Sequence, residues 1–220
     1  MIKFENTEVF NFEGALRGMR NPLNSWAKSD SIFNAGFDSS GFIFGANDLD
    51  LAKRLIKAGS DHRKFLRQIF VSVDITAPLY WWKEFDTYKV ATVANSCSTM
   101  HTIHVKEFTL DDFSHEDLIL PRQLEVVIDM LNEYRRLYLK GFTGVPGDDA
   151  HNIAPKDKRI WRQMIQLLPS SYNQRRTVTL NYETLRNISG ARRNHKLSEW
   201  SVGFMEWIDT LPYAEELIKS

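Results

Sequence analysis

Arg175, Arg176, Arg186, Arg192 and Arg193 fall within about twenty residues of a chain whose charges otherwise balance. A guanidinium presents a planar fork of donors that matches a phosphate or carboxylate. Asn181 stands where a helix should begin, and a helix N-terminus attracts anions. Arg192 follows eleven residues later, close to three full turns, so it returns to the face of Asn181 while Asn187 lies off that line. The competing reading pairs these arginines with Glu183, Glu199 and their neighbours, as charge clusters usually do. We read the segment as an anion site. No P-loop and no GxGxxG follows a strand here, so the standard nucleoside-triphosphate and dinucleotide folds lose weight.

A second run, Ala94-Asn95-Ser96-Cys97-Ser98-Thr99, is almost wholly small and polar. Such side chains line a pocket for a polar ligand or build a tight loop, and both readings stay open. Cys97 would be a nucleophile only with a base or helix N-terminus to lower its pKa. No such partner is identifiable, so Cys97 reads as buried and inert. His101 and His104 are three apart and His115 follows, a set that would hold zinc if the three met. On a strand, however, positions three apart face opposite ways, and no carboxylate or Cys stands beside them at metal spacing. They read as ordinary histidines. Tyr80, Trp81, Trp82, Phe85 and Tyr88 read as core rather than as a stacking platform.

The elements that position these groups follow from periodicity. Residues 1–47 are rich in turn formers and read as irregular, with Gly41–Gly45 (GFIFG) as one short strand. Asn47 reads as the N-cap of a first helix carrying Leu51, Leu55 and Ile56, with Gly59 as its stop. A short helical piece is expected over 61–66. Ile69, Val71, Val73 and Ile75 alternate with polar residues, the period of a half-buried strand. Ala77-Pro78 then opens a helix, where Pro is tolerated. Adjacent Trp81 and Trp82 can both be buried only if that helix is deeply embedded. Leu124, Val127, Ile128, Leu131, Tyr134 and Tyr138 place one stripe on a helix from Pro121 to about Lys140, ended by Gly141. A loop over 141–152, a helix over 155–168, another from Asn181 and a last one from Ser198 or Glu199 complete the reading. That last helix carries Trp200, Phe204, Trp207, Ile208 and Leu211 as its apolar stripe.

The expected fold is therefore α+β: a helix-rich single domain over 1–220 with a small, mainly antiparallel sheet. Its 220 residues suffice for a full core without staples. With 28 basic and 28 acidic side chains, no nucleic acid polymer is expected as partner. One cysteine rules out an internal disulfide and points to the reducing cytoplasm. No apolar run is long enough for a transmembrane helix and the N-terminus lacks a signal-peptide pattern, so no membrane partner is expected.

The order of these features resembles the flavin-dependent thymidylate synthases over 55–99 and 168–200, with looser similarity over 15–26. His62 matches the family's histidine before the strand, and Ala77-Pro78 match directly. The family's signature is eroded: Thr87-Tyr88-Lys89 stand where Arg-His-Arg is found. Glu84 replaces a Gln and Thr92 a Ser, while Asn95 lies near a Glu position. Cys97 or Ser98 takes the later Ser, and Thr99 or Met100 the final Arg. The second block fits better, with Leu168-Pro169, Thr179-Leu180-Asn181, Asn187 and Arg192 in family order and spacing. Met164-Ile165 replace an Ala-Arg there, and Leu197-Ser198-Glu199-Trp200 only loosely match the family's Ala-Gln-x-Glu after the Arg.

The resemblance implies a homotetramer that binds FAD between subunits. It also implies transfer of a one-carbon unit from methylenetetrahydrofolate to C5 of a pyrimidine deoxynucleotide, with NADPH as co-substrate and no cysteine nucleophile. Carried over, His62, Asn181 and Asn187 contact flavin or folate, and Tyr88 and Lys89 stand in for flavin-contacting signature residues. Glu84, Ser96, Cys97 and Ser98 face the nucleotide, and Arg192 holds it, with Lys89, Arg175 and Arg176 as candidates to replace the lost signature arginines. The resemblance implies dUMP as the nucleotide; an ionised Glu84, which only accepts hydrogen bonds, would suit a base that presents an amino group, as in dCMP. No catalytic residue and no metal ligand is assigned. Arg17 and Arg20 are further candidates for an anion site. The alternatives are an inactive nucleotide-binding or protein-interaction module on the same fold, and a metal-dependent hydrolase built on His101, His104 and His115.

Overall fold

The computed structural model describes residues 2–33, 42–116, 118–144 and 152–220. Gly41 of the expected GFIFG strand and residues 145–151 of the expected loop lie outside these. In chain order the elements are β1 (Lys3–Phe10), α1 (Phe12–Arg20), β2 (Ile32–Phe33), β3 (Phe42–Ile43), α2 (Ala46–Lys57) and β4 (Phe70–Pro78). They continue with α3 (Leu79–Phe85), β5 (Val93–Ser96), α4 (Thr99–Thr102), α5 (Pro121–Lys140), α6 (Lys158–Leu167) and β6 (Asn173–Asn181). Helix α7 (Tyr182–Arg192) follows directly, then a π-helical segment Glu199–Phe204, α8 (Met205–Asp209) and a second π-helical segment Glu215–Lys219. The fold is helix-rich with a small antiparallel sheet, as the sequence predicts. Among the described residues no helix is long and apolar enough to cross a membrane.

The four-stranded sheet has the order β1-β4-β6-β5, and β2 pairs antiparallel with β3. The chain forms two compact units. The larger comprises Ile2–Ile75, Phe85–Asn95 and Arg176–Ser220; the smaller comprises Thr76–Glu84 and Ser96–Arg175. In the larger unit Ile69, Val71, Val73 and Ile75 are fully buried, the expected face of a half-buried strand. On the other face Asp74 bridges its neighbours, accepting from the Asn6 amide at 2.9 Å and the Thr177 hydroxyl at 2.5 Å. In the smaller unit Leu124, Ile128 and Leu131 of α5 pack with Met164 of α6 around Ile103, Phe108 and Phe113. The Asn132 amide bonds both the N–H and the C=O of Phe108, tying that turn to α5. Trp81 and Trp82 are both buried, as adjacent tryptophans on an embedded helix must be.

Several expectations need correction. The described part of residues 1–47 is not irregular: it supplies β1 and α1. β1 is an edge strand whose residues are mostly exposed, so it shows no apolar alternation to read. α1 contains Gly14 and Gly18, which argue against a helix, yet each sits close to the end of another residue's side chain. A Cβ at Gly14 would meet Asn11 Oδ1 at 2.2 Å, and one at Gly18 would meet Gln68 Oε1 at 2.7 Å. Asn47 is not the cap of α2. The Asp30 carboxylate accepts from the Asn47 and Asp48 N–H groups instead, a cap supplied from a distant segment. Ala77-Pro78 end β4 rather than open the next helix, which starts at Leu79. The helical piece expected over 61–66 is a 3₁₀ turn at Lys64–Gln68. Gly59 does stop α2, with φ at +107°.

Arg20 is not available to a ligand. It is 3% exposed and its Nε donates to Asp48 Oδ1, while Asp48 is fully buried. Asp48 Oδ2 also accepts from the hydroxyls of Ser29 and Ser31 and the backbone N–H groups of Asp30 and Ser31. Burial alone would raise the Asp48 carboxyl, but the bonds from Ser31, Ser29 and Arg20 outweigh it and hold the group below its ordinary value. A carboxyl whose pKa falls on folding stabilises the fold at pH values above its unfolded pKa, near 3.8. That contribution is lost as pH falls below this value and through the folded pKa. Asp48→Ala leaves the buried Arg20 charge without its partner, so unfolding in urea at neutral pH should show a loss of about 3–5 kcal/mol. The gap between variant and parent should narrow once acid protonates Asp48.

Candidate functional site

Helix α7 continues directly from β6, and its start is well determined. Tyr182 N–H donates to Ile69 O at 3.0 Å, and the Asn181 side chain accepts from Thr184 N–H at 2.9 Å. Asn181 is thus the N-cap the sequence predicts, and it is buried. Its side-chain oxygen is engaged in the cap, which leaves the amide NH₂ as the group able to donate to a ligand. Tyr182 and Leu185 turn into the core, and burial pushes the Tyr182 phenol well above its ordinary pKa while it donates to Pro212 O.

Arg192, at the end of α7, sits in an aromatic cradle. Its Nε donates to the Tyr88 hydroxyl at 2.8 Å. Its guanidinium carbon lies 5.5 Å from the Tyr88 ring centre and 5.0 Å from that of Trp200. Tyr88 and Trp200 meet edge-on at 6.3 Å, and Phe85 lies parallel to Trp200 at 6.4 Å. Trp200 is fully buried, so it is a fixed wall for the guanidinium. Cation–π contacts of this kind contribute about 0.5–2 kcal/mol each. They fix the direction in which the Arg192 guanidinium points. Tyr88 is itself tied down: its N–H donates to Phe85 O, its C=O accepts from the Thr92 hydroxyl, and the Thr184 hydroxyl of α7 reaches Val90 O. Two residues before Tyr88, Asp86 accepts from Arg176 at 2.7 Å. One short segment therefore positions two of the arginines singled out from the sequence.

The remaining residues fall elsewhere. His62 is exposed in the turn after α2, and Lys89 is exposed beyond α3. Asn187 is exposed on α7 and lines a cleft with Arg63, Arg186 and Arg193. Arg63, next to His62 in the chain, makes a bidentate pair with Glu183 of α7 at 2.9 and 3.0 Å. In the smaller unit Glu84 is half-buried on α3. Ser96 ends the exposed edge strand β5, and Ser98 caps α4 by accepting from His101 N–H at 3.2 Å. Cys97 is exposed, not buried: its N–H pairs with Arg175 O, which turns the side chain outward at the end of an edge strand. The small polar run is thus a strand end followed by a helix cap.

Among the described residues, Tyr88 and Arg192 are predicted site residues whose side chains meet directly. Asp86, Arg63 and Trp200 were missed as site residues. The signal for the first two was adjacency to Tyr88 and His62; Trp200, eight residues beyond Arg192, carried none. The described residues contain no group of three His, Cys, Asp or Glu able to hold a metal ion. His115 Nδ1 bonds Phe113 O, and the His104 ring lies against Tyr138, so His101, His104 and His115 do not form a zinc centre.

No protein-family model matches the chain, and no curated protein matches it significantly. Solved structures do. Thymidylate synthase X from Helicobacter pylori, solved with FAD and dUMP, matches over 99% of this chain and 96% of its own, at a TM-score of 0.68 and 15% identity. A second structure, the flavin-dependent thymidylate synthase of Helicobacter pylori complexed with FAD and dUMP, covers 99% and 98% at 0.70 and 14%. The chain has the fold of these proteins.

Asn181→Ala should lower stability by about 1 kcal/mol in urea unfolding through loss of the cap. Asn181→Ser, which caps with its hydroxyl, should recover most of that loss. Equal stability of all three proteins would remove the capping role.

Proposed function

We propose that the chain is a flavin-dependent thymidylate synthase-like enzyme acting as one domain over 1–220. It binds FAD and a pyrimidine deoxynucleotide and transfers a one-carbon unit from methylenetetrahydrofolate to pyrimidine C5, with NADPH as reductant. It works as a homotetramer in the cytoplasm. The observation that carries this reading is the Arg192 cradle, in a chain whose fold matches synthase structures solved with FAD and dUMP over almost its whole length.

The donors present suit a flavin nucleotide. His62, Lys89 and Asn187 are exposed, and Tyr88 is half-buried beside Arg192. Asn181 suits it less, because the cap engages its oxygen. Bound flavin would supply the redox step that turns the transferred carbon into a methyl group. Arg192 presents donors only, so it binds an anionic or carbonyl oxygen of the nucleotide. Its aromatic walls restrict where the guanidinium points before the ligand arrives, which lowers the ordering cost of binding. Glu84, when ionised, accepts from an exocyclic amino group and therefore favours a cytosine nucleotide. Arg176 contributes less than its charge suggests, because Asp86 pairs with it. A second reading, a nucleotide-binding module without catalysis, is favoured by Thr87-Tyr88-Lys89 in place of the signature Arg-His-Arg.

The test is the visible absorption spectrum of the purified protein before and after FAD, followed by titration with dUMP and dCMP. Shifted flavin bands are expected, with dCMP bound at least as tightly as dUMP. Arg192→Gln should weaken nucleotide binding about tenfold or more, the effect of losing a charged hydrogen bond. Nucleotide binding with no flavin affinity would transfer the assignment to the module. Tighter dUMP binding would remove the role given to Glu84.

A further inference from the structure

The contact between Tyr88 and Arg192 joins two stretches of the larger unit, 85–92 and 176–192, and a further link closes them into a ring. Tyr88 N–H donates to Phe85 O at 2.9 Å, which closes a turn with Asp86 inside it. Asp86 accepts from Arg176 Nη1 at 2.7 Å. Arg176 lies on β6, five residues before the cap at Asn181, and β6 runs straight into α7, which ends at Arg192. The links lead from Tyr88 through its turn to Asp86, across to Arg176, along strand and helix to Arg192, and back to Tyr88. The junction of strand and helix is stiff, because Tyr182 N–H is bonded to Ile69 O and the Asn181 side chain closes the first turn. On the other side of Tyr88 the Thr184 hydroxyl of α7 reaches Val90 O at 3.4 Å. The turn is thus tied to β6 and α7 both before and after Tyr88.

The two ties are unequal. The Thr184 bond is neutral and long for a hydroxyl donor. The Asp86–Arg176 bond is charge-assisted and of full strength in length. The Arg176 side chain is 15% exposed and that of Asp86 53%. An ion pair so open to water adds little to stability. It does set direction: the more buried guanidinium fixes where Asp86 stands, and the turn carries that placement two residues on to Tyr88. The effect of the pair belongs in geometry rather than in the energy of unfolding.

We propose that Asp86 and Arg176 are positioning residues: their ion pair holds the turn so that the Tyr88 hydroxyl and ring meet Arg192, and neither residue touches the nucleotide. The consequence for nucleotide binding rests on the reading of Arg192 given above, whereas the consequence for the aim of Arg192 does not.

The test is isotope-edited NMR of the arginine Nε–H groups of the full chain, with the Arg192 signal identified by its loss in Arg192→Gln. Its bond to Tyr88 should slow the exchange of this proton with water. Asp86→Asn and Arg176→Gln should each speed that exchange at least about threefold, the low end for residues coupled through one network. The urea midpoint should stay nearly unchanged in both, which a merely structural pair would not allow. Arg176→Lys, which keeps the charge, should recover most of the protection. Asp50→Asn, which breaks the exposed Asp50–Arg54 pair on α2, should leave the signal as in the parent. Titration of the same proteins with dUMP and dCMP should show a parallel loss of affinity, at least about threefold. Exchange at the parent rate in Asp86→Asn and Arg176→Gln would overturn the proposal. So would weaker nucleotide binding with unchanged exchange, which would make Arg176 a ligand contact. A parent protein that binds neither nucleotide would remove the reading of Arg192, and the exchange rates would still decide the positioning role.

Discussion

The register between β4 and β6 is the constraint from which most of the functional geometry hangs. Tyr182 N–H would be an orphan donor at the first turn of α7, and it is satisfied by Ile69 O at the foot of β4. That bond sets the residue at which strand becomes helix. A shift of one position would turn every side chain of α7 by about 100°. Arg192 would leave Tyr88 and Trp200, Glu183 would leave Arg63, and Tyr182 would leave the core. Asn181 reinforces the same point by closing the first turn with its side chain. The cap is thus part of the mechanism by which Arg192 is aimed, whether or not its amide also meets a ligand.

Zero net charge conceals a division of labour among the arginines. Arg20 is buried with Asp48 and organises the N-terminal segment. Arg63 and Arg176 are paired with Glu183 and Asp86 and fasten elements together. Arg192 is held by a phenol and an indole, which orient its guanidinium. Arg186 and Arg193 have neither arrangement. Composition sums these six residues into one number, whereas what each can do depends on whether a carboxylate stands within reach.

What was legible in the sequence was whatever repeats along the chain. The alternation through Ile75 and the stripe of α5 each bury one face, and a buried face leaves a period. The N-cap at Asn181 was legible because it acts on its own helix. The cap of α2 was not, because Asp30 reaches it from another segment. β1 was hidden because an edge strand with most residues in solvent has no face to mark. α1 was hidden because Gly14 and Gly18 read as turn formers, whereas in the fold they sit against the side chains of Asn11 and Gln68. Arg192 and Tyr88 were named separately through a resemblance; their contact joins residues more than a hundred positions apart and had no local signal.

The eroded signature bears on charge more than on fold. Two arginines of the family pattern are absent at Thr87-Tyr88-Lys89, and Arg176 was a candidate to replace them. Its pairing with Asp86 argues against that, since a charge already engaged by a carboxylate at 2.7 Å has less to offer a phosphate. Tyr88 has instead become the partner of Arg192. A histidine at that position would carry a charge that titrates near neutrality, and beside a guanidinium it would be repelled. A tyrosine avoids the repulsion and gives Arg192 both an acceptor and an aromatic face. Tyr88 is therefore coherent with Trp200 behind it: together the two rings fix the direction of the Arg192 guanidinium.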